Sequence, residues 1–163
     1  MRNHIYMGML VGLLAMSCGG AKTADELWQS AQDNADNRQY ALAIKALNRL
    51  IDKFPDSPLT PRAQFQIADL YLNGTGEMER AVEAFAVTAE QFPDMEFGLK
   101  SLFMMGFVQS NYLQDYDNAR VSYEKFLERY PNDELIASVK FELENLGKEV
   151  DEIEALRGVV KGE

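Results

Sequence analysis

Asp52–Pro58 reads DKFPDSP, and its centre returns along the chain. FPD stands at Phe54–Asp56 and again at Phe92–Asp94, and YPN stands at Tyr130–Asn132. Successive aromatic residues are 38 apart each time. A fixed period of about 20–50 residues is the signature of a repeat array, in which each unit is one supersecondary element stacked on the next. The FPD stretches read as stops. Proline cannot continue a helical hydrogen-bond ladder, and it pushes the residue before it out of the helical region.

Each stop closes two amphipathic runs. Between Ala24 and Phe54, Leu27, Ala31 and Ala35 mark one helix. A break near Asn37 follows, and Tyr40, Ala43, Ile44, Leu47, Leu50 and Ile51 mark a second helix. The next unit has a helix over 62–72, a turn at Asn73–Gly76 (NGTG), and a partner helix over 78–92. The third has helices over 99–112 and 116–130, with a break at Gln114–Asp115. Ala43, Ala81 and Ala119 fall 38 apart, a small residue where the partner helix crosses closely. After Pro131, a charged stretch from Glu134 reads as a polar cap that Gly147 interrupts, ending in a frayed tail.

This pattern resembles the tetratricopeptide repeat (TPR): a small residue in the first helix, an alanine early in the second, a large apolar residue four later, and a closing proline. Those places are filled by Ala31, Ala43, Leu47 and Pro55, by Ala68, Ala81, Phe85 and Pro93, and by Gly106, Ala119, Tyr123 and Pro131. The period exceeds the usual ~34 residues, and the extra residues sit in the connectors DSPLTP, DMEFG and NDEL. That longer form looks like the periplasmic TPR lipoproteins of the BamD and CpoB (YbgF) type. The resemblance implies an all-α fold: a right-handed α-solenoid of about three hairpins over 24–56, 57–94 and 95–132, then a capping helix from 134. The array would run over 24–146, with 147–163 as an extension and tail.

The start of the chain reads differently. Residues 1–20, MRNHIYMGMLVGLLAMSCGG, have a small positive region at Arg2 and an apolar run from Ile5 to Met16. That run is shorter than the roughly 20 residues of a bilayer-spanning helix and matches a secretory leader. An ordinary cleaved leader or an uncleaved anchor would also fit this run. LLAMSC, ending at the chain's one cysteine, Cys18, resembles the lipobox of bacterial lipoproteins, with Ala15 where that motif usually has leucine. The resemblance implies a signal peptide at 1–17, acylation of Cys18, and a short linker over 18–23. It implies a lipid-anchored protein of the bacterial envelope. Gly19 after the cysteine favours the outer membrane, facing the periplasm.

Chemistry is sparsely equipped. The one histidine is His4, and no phosphate-binding loop or nucleophile elbow occurs. Catalytic residues, metal ligands and cofactors are therefore not expected. Carboxylate pairs such as Glu77/Glu79 and Glu142/Glu144 read as solvated helix faces, leaving a carboxylate-dependent envelope enzyme as a remote alternative. The net charge of −10 argues against nucleic acid, which needs clustered cations.

A column of aromatics remains. Trp28, Phe65, Phe103 and Phe141 recur at 37, 38 and 38 residues, one per first helix. By the resemblance they face a concave groove that binds a protein or peptide, with Gln32, Asp69, Asn73 and Asn111 as polar neighbours. The competing reading is inter-repeat core, the commoner fate of aromatic stripes; Met104 and Met105 read as packing residues. The expected function is a membrane-anchored periplasmic adapter. A self-associating module using the apolar stretch Met95–Val108 is the alternative, which would make the protein a homo-oligomer.

Overall fold

The computed structural model describes residues 22–148 and residue 152. The signal peptide at 1–17 and Cys18 lie outside the described residues, as do residues 18–21 of the linker and all of 147–163 except 147, 148 and 152. Seven α-helices are found among the described residues: α1 Ala24–Asp36, α2 Tyr40–Lys53, α3 Thr60–Asp69, α4 Met78–Gln91, α5 Glu96–Asn111, α6 Tyr116–Arg129 and α7 Ile136–Glu144. They pair as α1/α2, α3/α4 and α5/α6 and stack in chain order, with α7 packed on α6. This is an all-helical solenoid of three hairpins with a capping helix.

The FPD column ends the second helix of every hairpin in one conformation. Phe54 (φ −134, ψ 57), Phe92 (−127, 52) and Tyr130 (−125, 58) leave the helix as the following proline requires. Their carbonyls then accept from Ser57 N (3.0 Å), Met95 N (3.1 Å) and Asp133 N (3.2 Å), so one turn is built three times.

The turn inside each hairpin is equally regular. Arg38 (φ 57), Gly76 (φ 73) and Gln114 (φ 54) take the left-handed conformation at sites 38 apart. In the second and third units, Glu77 N donates to Tyr71 O and Asp115 N to Gln109 O, both at 2.8 Å and both spanning six residues. In the first unit Gln39 N donates to Asn34 O at 2.8 Å across five. The first unit is thus one residue shorter here, which is why Trp28 to Phe65 is 37 rather than 38. In the second unit the extra residue is absorbed as a π-helical turn, Leu70–Thr75. The NGTG segment, expected as a simple turn, therefore begins inside a helix, and only Gly76 supplies the left-handed stop. One inserted residue in a helix is commonly accommodated this way.

The core follows the repeat. Ala43, Ala81 and Ala119 are fully buried, as are the large residues four later, Leu47, Phe85 and Tyr123. Gly106 is smaller than its counterparts Ala31 and Ala68 for a local reason. A Cβ there would stand 2.6 Å from the Tyr123 ring. Buried residues form two clusters. One joins the first two hairpins and Val108; the other joins Ala89 and Leu102 to α6 and to Val139 of α7. Neighbour-only packing of this kind is expected of a solenoid. Helix α7 ends at Glu144, and Gly147 follows with φ 78.

Candidate functional site

Helices α3 and α5, the first helices of the second and third hairpins, pack on one another as well as on their partner helices. The aromatic column has one member on each first helix and one on α7. Trp28, Phe65 and Phe103 are each half-buried. Trp28 and Phe65 rest on the first core cluster, and Phe103 rests on the second. Phe141 on α7 is 37% exposed. Trp28, Phe65 and Phe103 each pack partly on the core and stay partly exposed, and Phe141 is more open.

The rings of Trp28, Phe65 and Phe103 are held from the next unit or their own hairpin. The Arg62 guanidinium lies 4.5 Å from the centre of the Trp28 ring, joining the first two hairpins by a cation–π contact. Phe65 sits between Phe85 (5.5 Å) and Phe97 (5.7 Å). Phe103 meets Phe107 (6.5 Å), Tyr123 (6.2 Å) and Phe126 (6.4 Å). Among the described residues, no two of the four column aromatics stack on one another.

The polar neighbours lie on α1, on α3 and the π-helical turn that follows it, and on α5. Asp69 accepts from Asn73 Nδ2 at 2.7 Å and from Gln66 Nε2 at 3.1 Å, so its carboxylate is held in place rather than free. Asn73 and Asn111 are exposed and Gln32 is half-buried. Asn111 Nδ2 donates to Phe107 O at 3.1 Å. Burial holds the Glu142 carboxyl above the usual carboxylate range, although the neighbouring polar groups of Asn111 and Tyr123 oppose that rise. The Tyr123 hydroxyl is itself buried and faces Glu142 without a well-formed hydrogen bond; burial raises its phenol well above the ordinary range.

Sequence reasoning did not single out Phe107, Phe97, Arg62 or the Glu142–Tyr123–Asn111 group. Phe107 was legible in principle, since it lies one helical turn after Phe103. Phe97 and Arg62 come from the following hairpin, and no local pattern links them to their partners. The carboxylate pairs do not converge. Glu77 accepts from Arg80 Nη1 at 2.7 Å, which holds its carboxyl below the usual range, and Glu79 points to solvent. Among the described residues no group of three or more His, Cys, Asp or Glu side chains could hold a metal ion. No described helix is long and apolar enough to cross a membrane.

Stacked antiparallel hairpins, each closed by the same aromatic–proline turn, define an α-solenoid repeat protein. Residues 29–96 match one family model described as tetratricopeptide repeat, and residues 100–133 match a second model of the same description. The chain carries tetratricopeptide repeats through all three hairpins, and such repeats are typically non-catalytic protein-interaction modules. No curated protein matches the chain.

Proposed function

We propose that the protein is a lipid-anchored adapter of the bacterial envelope. Its first-helix face would hold a protein or peptide partner on the periplasmic side of the outer membrane. The observation that carries the reading is the half-buried aromatic column. Rings held by packing and still partly exposed are rigid anchors, which lose little entropy on binding. The remaining hydrogen-bonding capacity of the Gln32, Asn73 and Asn111 amides would supply directional hydrogen bonds to an extended or helical segment. The lipobox-like LLAMSC supports acylation at Cys18, and the long TPR period supports the likeness to BamD- and CpoB-type lipoproteins.

Two experiments test the two halves. Mass spectrometry of protein extracted from membranes is expected to show acyl chains on a polypeptide beginning at Cys18. Loss of that modification in Cys18→Ser is expected too. An unmodified chain would refute the anchor. Co-purification from native membranes tests the groove, using Gln32→Arg/Asn73→Arg, which leaves the aromatic packing intact. Self-association is the weaker reading. Helix α5, which carries most of Met95–Val108, is packed between α4 and α6, and the stretch leaves only Met95 among the exposed large apolar residues.

A further inference from the structure

The outer side of the first hairpin has no helix stacked on it among the described residues. Leu42, Lys45 and Arg49 lie at i, i+3 and i+7, one exposed stripe of α2. The core-facing residues of the same helix are Ala43, Ile44, Ala46, Leu47 and Leu50, with Ala46 also bordering the outer stripe. Between the outer stripe and α1 runs a cleft of about 230 Å³, lined by Lys22 and Ser30 as well. Lys22, Lys45 and Arg49 are exposed, and Leu42 is 51% exposed. Lys22 Nζ donates to Ser30 Oγ at 3.2 Å, folding the lysine along α1.

These cations are not balanced by partners. The ion pairs among the described residues are Arg80–Glu77 and Lys100–Glu96, both in other hairpins. The acids on the same edge of α1 are engaged elsewhere: Glu26 closes the helix cap with Thr23, and Asp33 accepts from Gln29 at 2.8 Å. The second hairpin is the acidic one: residues 57–94 carry two cations (Arg62, Arg80) against six carboxylates, whereas 22–56 carry five (Lys22, Arg38, Lys45, Arg49, Lys53) against six and 95–132 carry four against five.

We infer that this outer face is a seat for anionic lipid headgroups, a second contact that orients the protein on the membrane holding Cys18. The inference rests on the lipid anchor proposed above. Cys18 and Lys22 are four residues apart, a reach of at most about 14 Å at full extension. An acylated Cys18 therefore keeps the cleft close to the headgroup layer, where the field of an anionic surface acts over about one Debye length, ~8 Å at physiological salt. Three exposed cations around an apolar side chain, Leu42, match that interface: charge for the headgroups and a methyl-rich tip for the glycerol region. The second hairpin, with two cations against six carboxylates, offers that surface no comparable attraction.

The test uses the lipidated protein reconstituted in two kinds of vesicle, zwitterionic phosphatidylcholine alone and a mixture with phosphatidylglycerol. A membrane-impermeant amine reagent labels exposed lysines, and peptide mass spectrometry reads each site and the acyl chains on Cys18. The expected result is labelling of Lys22 and Lys45 reduced about threefold in the anionic vesicles. Labelling of Lys100, Lys125 and Lys140 should not change, and the protection should vanish at high salt. Lys45→Glu/Arg49→Glu, with an unchanged helical circular-dichroism spectrum, is expected to lose the protection at Lys22. Equal labelling of Lys22 and Lys45 in both vesicles, with the acyl chains present, would overturn this inference and leave the anchor standing. Absence of acyl chains would overturn both.

Discussion

Residue 38, an arginine, adopts a backbone conformation that glycine favours, and so does Gln114. The equivalent position of the middle hairpin is Gly76. A left-handed conformation costs a residue with a Cβ about 1 kcal/mol relative to glycine, partly offset by the larger entropy that glycine loses on folding. Arg38→Gly and Gln114→Gly are therefore each expected to raise stability by about 0.5–1 kcal/mol, and Gly76→Ala to lower it by a similar amount. Thermal unfolding followed by circular dichroism checks all three, and a loss of stability in both glycine variants would show the turns are held by something else. Gly106 obeys a different constraint. Its φ is not left-handed, but the fully buried Tyr123 ring fills the space where a Cβ would go. Gly106→Ala is expected to destabilise by about 1–3 kcal/mol, the usual range for overpacking, measured as a drop in the urea midpoint. The sequence named Gly106 as the small position of its unit, and the structure supplies the reason it is smaller than alanine. It placed breaks near Asn37 and at Gln114–Asp115 but did not assign the positive φ to Arg38 or Gln114, because a break between two helices says that the chain turns, not which residue takes that conformation.

Among the elements, the ends of the second helices were the most legible, because proline acts locally and leaves one conformation open to the residue before it. The starts of those helices, Tyr40, Met78 and Tyr116, were legible too, but how each is capped was not. Gln39, Glu77 and Asp115 occupy the same N-cap position, but only Asp115 caps with its side chain, accepting from Asn118 N at 3.3 Å. Gln39→Asp is expected to add about 0.5–1 kcal/mol by supplying the missing cap, and the comparison of melting temperatures decides it. The π-helical turn at Leu70–Thr75 was not legible at all. A one-residue insertion can be absorbed as a π-turn, a longer loop or a shifted helix end, and the choice depends on packing from other helices. Helix α7 carries a pH signature. Burial raises Glu142, so the folded chain holds its proton to higher pH than the unfolded chain does. The sign follows from linkage: docking of α7 is strongest below the unfolded value of about 4.3 and weakens as pH rises through the folded value. Glu142→Gln is expected to be more stable than the wild type at pH 7.5, with the difference closing toward pH 4. No difference at either pH would place the Glu142 carboxyl in water.

For the whole molecule, the all-α solenoid was legible from the 38-residue period, since any unit that cannot bury its own apolar face must stack on a neighbour. The candidate face was legible as a column of positions, Trp28, Phe65, Phe103 and Phe141, but not as a degree of burial. Phe97 and Arg62, which cover parts of Phe65 and Trp28, arrive from the following hairpin. Half-burial gives the column two roles at once, so alanine at those sites removes packing as well as any contact with a partner. Trp28→Ala/Phe65→Ala/Phe103→Ala is accordingly expected to lower stability by several kcal/mol, read by chemical denaturation. Gln32→Arg/Asn73→Arg isolates the binding role. The most direct measurement is quantitative mass spectrometry of proteins co-purified from native membranes with the wild type and with Gln32→Arg/Asn73→Arg, both checked for helical content. The adapter reading predicts a partner enriched with the wild type and reduced at least tenfold with the variant, as expected when about 1.4 kcal/mol or more of binding is lost. A partner retained equally by both folded proteins would contradict the claim that the first-helix face is where this protein binds.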